Sequence, residues 1–253
     1  MRFIYSFLIV LSSPLLLLYF AFRGLRDRAY LKRWHERFGF IPVDDRRDGI
    51  WIHAASVGEF NAASPLIRNL LKRHPDIPLM ITTLTPTGSE RVRRDLGEKV
   101  SHSYVPIDLP GTVRRFLKRL QPRLIIVMET EIWPNLYLQS KHLDIPLIMA
   151  NARLSKRSVA RFQHIPGFVE EVLQTVEWIG AQSDADADRL AGCGANPQCI
   201  EMTGNLKFDL TVSASLEEKA AALRSRWGRN RPVLVAGSTH EADENVVIPA
   251  FVE

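Results

Sequence analysis

Residues 3–22 (FIYSFLIVLSSPLLLLYFAF) form an uncharged, mostly apolar run ahead of a chain whose apolar and polar positions alternate in short blocks. A helix of about twenty residues rises about 30 Å, the thickness of a bilayer's hydrocarbon core. Residues 1–22 are therefore expected to form a transmembrane anchor. A cleaved signal peptide competes with this reading, but its apolar core runs only about 7–15 residues behind a basic leader. Here the run is longer and Arg2 is the only charged side chain before it. Pro14 and the neighbours Ser12 and Ser13 interrupt the middle, so a kinked or tilted helix is expected.

Beyond residue 48 the pattern changes. IWIHA (50–54), PLMITTL (78–84), VSHSYVPI (100–107), RLIIVMET (123–130), PLIMANA (146–152), WIGAQS (178–183) and QCIEMTG (198–204) read as short strands. Between them, residues 59–73 place Phe60, Ala63, Leu66, Ile67, Leu70 and Leu71 at the three-and-four spacing of one buried helical stripe. Further helices are expected in PTGSERVRRDLG, with Pro86 in the first turn and Gly97 as the cap, in TVRRFLKRLQ, and near 134–142, 167–177 and 184–192. Strands apolar throughout, separated by amphipathic helices, imply a parallel sheet covered on both faces, with RLIIVMET at its centre. Near residue 216 a second unit begins: a helix (LEEKAAALRSRWG), a strand (PVLVA, 232–236), a turn (GSTHEADE) and a helix (NVVIPAFVE). One strand and one helix bury no core of their own. Either they pack on the first sheet or the chain is a truncated form of a longer two-domain protein, the reading favoured here. The expected organisation is an anchor (1–22), a basic juxtamembrane segment (23–48), a Rossmann-like domain (49–212) and the start of a second such domain (213–253).

Charge sharpens the membrane reading. Lys and Arg number 33 against 28 Asp and Glu, a net charge of +5. Arg23, Arg26, Arg28, Lys32, Arg33 and Arg37 cluster just after the apolar run. The positive-inside rule then keeps the remainder in the cytoplasm. A belt in that position fits anionic lipid headgroups better than a nucleic-acid groove. Cys193 and Cys199 are the only cysteines, and no CxxC pair, HExxH or other dense ligand cluster appears, so no metal site and no cofactor are expected. The absence of GxGxxG and GxxxxGK[ST] argues against dinucleotide and P-loop chemistry.

Open parallel sheets bind ligands beyond the carboxyl ends of their strands, so the turns there carry the candidate chemistry. In the first, Ser56 and Glu59 flank Gly58. A carboxylate in a first helical turn is held ionised and can take a proton from an attacking hydroxyl. The same spacing is a capping box, in which the glutamate only bends back to the Ser56 backbone. Glu129 and Glu131 follow the most apolar strand, where carboxylates need partners or water. Glu131 reads as a cap for the next helix, and Glu129, nearer the sheet, is harder to dismiss. Thr85, Thr87 and Gly88 form a hydroxyl-rich turn suited to a phosphate or sugar, or an ordinary N-cap. Asn151 and Arg153 could bind an anion. Asn205, Lys207 and Asp209 shape another turn, in which Lys207 either neutralises a phosphate or is solvated surface. Ser238, His240 and Glu241 repeat the strand–turn–helix arrangement and could receive a nucleotide phosphate.

Taken in order, HAASVGE (53–59), TTLTPTGSERV (82–92), METEIWPN (128–135), ANARLS (150–155), GNLKFD (204–209) and STHEADE (238–244) resemble the bacterial Kdo (3-deoxy-D-manno-octulosonic acid) transferase family, as does AYLKRWHERFGF (29–40) after the anchor. The resemblance implies an inverting glycosyltransferase of GT-B architecture. It implies transfer of Kdo from CMP-Kdo to a lipid A precursor (lipid IVA), in lipopolysaccharide core assembly at the cytoplasmic face of the inner membrane. It assigns the general base to Glu59 and stabilisation of the transition state to Glu129 and Lys207, with no catalytic metal. The family's members continue beyond residue 253, so the resemblance also implies that the CMP-binding domain is incomplete. Two other classes stay open: a membrane-anchored module that binds lipid without catalysis, and a GT-B transferase with another nucleotide-sugar donor.

Overall fold

Seven short strands, β1 (Ile50–His53), β2 (Leu79–Thr83), β3 (Ser101–Tyr104), β4 (Leu124–Met128), β5 (Leu147–Ala152), β6 (Trp178–Ala181) and β7 (Ile200–Met202), pair in parallel in the order β3-β2-β1-β4-β5-β6-β7. They belong to a computed structural model that describes residues 1–42, 47–209, 214–228 and 230–252. The expected domain boundary at 212–213 and part of the loop before β1 lie outside the described residues. The chain divides into two units, Met1–Leu210 and Thr211–Glu253.

Alternation along β1 shows why the strands are apolar throughout. Ile50 and Ile52 face one layer, with Phe60, Ala63 and Ile67 of α3 (Val57–Arg73) and Val92 and Leu96 of α4 (Pro86–Leu96). Trp51 faces the other, against Phe116 of α5 (Pro110–Leu120), with Tyr137 of α6 (Pro134–His142) and Val172 of α8 (Pro166–Leu173) in the same cluster. Both sheet faces are thus dry, as a parallel sheet requires. β4 is the middle strand of the seven, as its composition predicts.

Two further helices, α7 (Lys156–Phe162) and α9 (Asp184–Gly192), complete this layer. α7 has no counterpart in the sequence reading, because none of its residues is fully buried and no apolar stripe marks it. α8 stops at Leu173, short of the expected residue 177. In the second unit α10 (Ala214–Trp227) and α11 (Glu241–Val252) form, but residues 232–236 make no strand. Val233, Leu234 and Val235 stay exposed there, since a parallel strand needs a neighbour to accept its backbone hydrogen bonds.

The apolar run forms α1 (Arg2–Arg26), long and apolar enough to cross a membrane. Pro14 removes the N–H that would have bonded the Val10 carbonyl, and the Ser13 hydroxyl donates to that carbonyl at 2.7 Å instead. The helix lies along the first unit and meets it towards both ends. Tyr5 donates to Asp108 at 2.9 Å and packs on Phe168, and Ser6 donates to Asn135 at 3.0 Å. Phe20 packs edge-on against Trp34 of the short α2 (Trp34–Arg37). The basic belt is narrower than its sequence suggests. Arg37 is buried beneath the Phe20 and Tyr104 rings, and Arg33 pairs with Glu36 at 2.6 Å. Arg23, Arg26, Arg28 and Lys32 remain exposed.

Arg33 also donates to His102 Nδ1 at 3.1 Å, which leaves Nε2–H of the neutral ring to bond Thr83 Oγ1 at 3.0 Å. Burial, with the guanidiniums of Arg33 and Arg93, pushes the imidazole down to about 3. The folded ring stays neutral where an unfolded one, with a pKa of about 6.5, is protonated. Stability is therefore expected to fall as pH drops from about 6.5 towards 3, by at most about 1.4 kcal/mol per pH unit. Urea unfolding of the wild-type protein and His102→Gln at pH 7 and pH 5 checks this: the variant should lose less stability between the two, and equal losses would contradict the assignment.

Candidate active site

The strand order reverses direction between β1 and β4, which places a crevice beyond their carboxyl ends. Both carboxylate-bearing turns open there, the one after β1 with Glu59 and the one after β4 with Glu129 and Glu131.

At the first turn Ser56 is the N-cap of α3, and its hydroxyl oxygen accepts the Glu59 N–H at 3.2 Å. The Glu59 carboxylate bends back, as a capping box predicts, but one residue further than expected. Oε2 accepts the Ala55 N–H at 2.7 Å and Oε1 accepts the Ser56 hydroxyl at 3.0 Å. A carboxylate has roughly four acceptor positions, and these bonds use two. The side chain remains partly exposed. Burial and the neighbouring Glu131 charge raise its pKa above the ordinary range, against the opposing pull of the Ala55 N–H, the Ser56 hydroxyl and His53. Capping therefore leaves acceptor positions of this carboxylate unused. Apart from its chain neighbours and its own helix backbone, the nearest atom to the place a Gly58 side chain would occupy is Ser56 Oγ, at 3.7 Å.

Glu131 is not the helix cap that spacing implies. The α6 amino terminus is capped from a distance by Asp108, whose carboxylate accepts the Asn135 and Leu136 N–H groups at 3.0 and 2.9 Å. Burial pushes Asp108 up to about 6 despite these bonds. Pro134 supplies the first turn. Glu131 is thereby free to accept the Trp133 indole N–H at 3.0 Å and to face His53 Nε2 at 3.9 Å. Burial alone would raise the Glu131 carboxyl, but His53 and Trp133 together hold it below the usual carboxylate range. His53 is itself buried, and its Nδ1 meets Thr82 Oγ1 at 2.9 Å while Thr82 also accepts the Trp51 indole N–H at 2.8 Å. Hydrogen bonds thus run from Trp51 through Thr82 to His53, whose Nε2 has no hydrogen-bond partner and faces the Glu131 carboxylate across 3.9 Å.

Glu129, just after β4, and Asn151, the penultimate residue of β5, take the left-handed region, at φ 54° and 56°. Such backbones are costly for residues other than glycine and gather at functional sites. The Glu129 N–H donates to the Ala150 carbonyl at 2.9 Å, and its carboxylate lies 4.0 Å from Arg153 Nε. Buried Asn151 accepts the Leu206 N–H at 3.0 Å, and Gln182 bonds both Asn151 and Asn205. These ties hold the turn of residues 206–209, with exposed Lys207, against α3, the helix that carries Glu59. Thr85 is the N-cap of α4, accepts the Gly88 N–H at 3.2 Å and contacts exposed Thr87. Ser238, His240 and Glu241 are exposed residues of the second unit, where Ser238 takes a positive φ of 57° and the His240 N–H donates to Asp243.

The structure therefore brings Ser56, Gly58 and Glu59 together with the Glu129 turn, Arg153 and the Lys207 turn along one sheet edge. It adds His53 and Trp133, which the sequence reading left unused, and Glu131, which it read only as a helix cap. The signal for His53 was its position, a polar residue closing an otherwise apolar strand.

The parallel sheet with its flanking helices defines an α/β fold of the GT-B type. A UDP-GlcNAc 2-epimerase from Neisseria meningitidis superposes with a TM-score of 0.51 over 72% of this chain and 53% of that one, at 16% sequence identity. The family model for 3-deoxy-D-manno-octulosonic-acid transferase (kdotransferase) matches residues 32–210, and the chain belongs to that family. It is 40% identical to the 3-deoxy-D-manno-octulosonic acid transferase of Haemophilus influenzae over 98% of this chain and 58% of that protein. With the Bordetella pertussis transferase it shares 34% identity over 91% of this chain and 58% of the relative. A probable mitochondrial transferase of Arabidopsis thaliana is also 34% identical, with 93% and 54% covered. The chain spans a little over half the length of these relatives.

Removing the Glu131 charge should lower the Glu59 pKa, since repulsion between the two carboxylates raises it. Titration of the Glu59 carboxyl by ¹³C NMR in wild-type and Glu131→Gln protein tests this, and an unchanged or higher value in the variant would refute the coupling.

Proposed function

We propose that this chain carries the acceptor side of an inverting transferase that moves Kdo from CMP-Kdo to a lipid A precursor, lipid IVA, with Glu59 as general base. The observation that carries the reading is the Glu59 carboxylate at the switch-point crevice, its proton affinity raised by burial and by Glu131. A base must be ionised at rest yet hold a proton well in the transition state, and a raised carboxyl pKa serves both needs near neutral pH. The Ala55 N–H and Ser56 hydroxyl fix its orientation while leaving acceptor positions for a sugar hydroxyl.

In the reaction the acceptor oxygen attacks the anomeric carbon of Kdo and passes its proton to Glu59. The bond to the CMP phosphate breaks, and its electron pair leaves with the phosphate. The sugar develops oxocarbenium character, as in glycoside hydrolysis. Glu129, held 4.0 Å from Arg153, stabilises that positive charge or orients the acceptor. Lys207 neutralises the departing phosphate. The hydroxyls of Thr85 and Thr87 and the backbone around Gly88 line the sugar's approach, and Asn205 shapes the Lys207 turn through its bond to the Lys207 N–H at 3.0 Å. Ser238, His240 and Glu241 receive the nucleotide of the donor. α1 embeds in the inner membrane, and the exposed cations that follow it meet anionic headgroups at the cytoplasmic face.

Glu59→Gln should lower kcat more than about 100-fold, the scale of a lost general base, with circular dichroism unchanged. Measuring CMP release from CMP-Kdo with lipid IVA checks the assignment, and near-normal turnover would remove Glu59 from the chemistry. In the wild-type protein kcat/KM should fall with decreasing pH, because protonation of Glu59 removes the base. The midpoint should lie above the ordinary carboxylate range, about 4.3 for glutamate, and a lower midpoint would contradict the raised pKa.

A further inference from the structure

α1 touches the first unit through Tyr5 and Ser6 near one end and Phe20 near the other, about 21 Å apart at 1.5 Å per residue. Between these contacts a hollow of about 570 Å³ opens under the helix. That volume falls within the range of small-molecule sites, roughly 300–1,000 Å³. Ile9 and Leu15 line it from the helix, and Leu84, Val105, Ile107 and Trp133 line it from the domain. Water gains little in such a wall, and apolar cavities of this kind take apolar guests.

Three features of the structure identify the guest. The opposite face of α1 is a row of exposed apolar side chains, with Phe3 at 89%, Leu18 at 65% and Leu25 at 81% exposure, so the surroundings of the hollow are hydrocarbon rather than water. The hollow also runs into the catalytic edge. Leu84 and Thr85 belong to the turn after β2, and the Trp133 indole is bonded to Glu131. Lastly, Arg23 and Arg37 border it. Arg37 is 1% exposed, lies over the Phe20 and Tyr104 rings and donates to the Leu84 carbonyl at 3.0 Å, but it has no carboxylate within ion-pair distance among the described residues and keeps an Nε–H without an acceptor. A buried cation without a counter-anion beside an apolar chamber suits an amphiphile with an anionic headgroup.

We infer that the hollow beneath α1 holds an acyl chain of the acceptor lipid, with Arg37 and Arg23 on the side of its anionic headgroup, so that the sugar is presented to the Glu59 edge. This rests on the glycolipid-acceptor reading above and adds where the lipid's tail goes. The seat explains why α1 is more than a tether: it forms one wall of a substrate site.

Two measurements on the whole protein in vesicles test it. An acylated glucosamine disaccharide carrying a diazirine in one acyl chain should, on irradiation, label Ile9 and residues 105–108, and unlabelled acylated disaccharide should compete where the deacylated form does not. Labelling confined to outward residues such as Leu11 and Leu18, or equal labelling of the inner residues by a diazirine phosphatidylethanolamine, overturns the proposal in favour of bulk lipid. In the second, Ile9→Trp, which fills the hollow, should raise the ratio of KM for acylated over deacylated acceptor about tenfold. Leu11→Trp, on the outer face, should leave that ratio unchanged. No change in the ratio for Ile9→Trp also overturns the proposal. Absence of Kdo transfer to either acceptor by the full-length protein, carrying a complete donor domain, would instead sink the transferase reading, and the labelling would still decide whether the hollow takes the chain.

Discussion

The pairing of β1 with β4 is the constraint from which the rest follows. β2 and β3 add on one side of β1, and β5, β6 and β7 add on the far side of β4. Chain direction is the same in every strand, so every strand-to-helix turn falls on one edge of the sheet. At the β1–β4 seam the neighbouring connections diverge to opposite faces, and the edge opens instead of closing over. The seam is dry below and polar above. Ile52 and Val127 are fully buried within it, whereas His53, Glu59, Glu129 and Glu131 gather where it ends.

That edge keeps its carboxylates apart in character by giving each different company. Glu59 is surrounded by its own turn and feels Glu131 as a repulsive charge. Glu131 has the indole of Trp133 and the imidazole of His53, and its charge is correspondingly easier to bear. The division depends on Asp108, which reaches over from the turn after β3 to cap α6. Were Glu131 needed as the cap, it could not face the crevice. A buried carboxylate from another turn thus sets which carboxylate is left to face the β1–β4 edge.

Much of this was legible in the sequence because the relevant signals are local. Strand runs such as LIIVM, the apolar stripe of α3 and the prolines opening α4 and α6 each report on one element, and each formed where its pattern placed it. Ser56 and Glu59 declared a capping box by spacing, and the box is there in variant form. What escaped depends on contacts between distant segments. The pairing of Asp108 with the α6 terminus spans 27 residues, and it alone reverses the reading of Glu131. Arg37 reads as one more membrane-facing cation until Phe20 and Tyr104 are seen to enclose it. Residues 232–236 have a strand's composition, but composition supplies no partner strand, and in this structure they stay unpaired.

The attachment of α1 along its domain has a mechanical corollary. A protein hung from the bilayer by a flexible stalk sweeps a hemisphere and meets its lipid at random heights and angles. One whose greasy helix is riveted to the globular part near both ends, by Tyr5 and by Phe20, has lost that freedom. With α1 in a bilayer, as proposed above, the sheet edge rides at a fixed depth and inclination, so the search for the proposed glycolipid shrinks to sliding and turning within a plane.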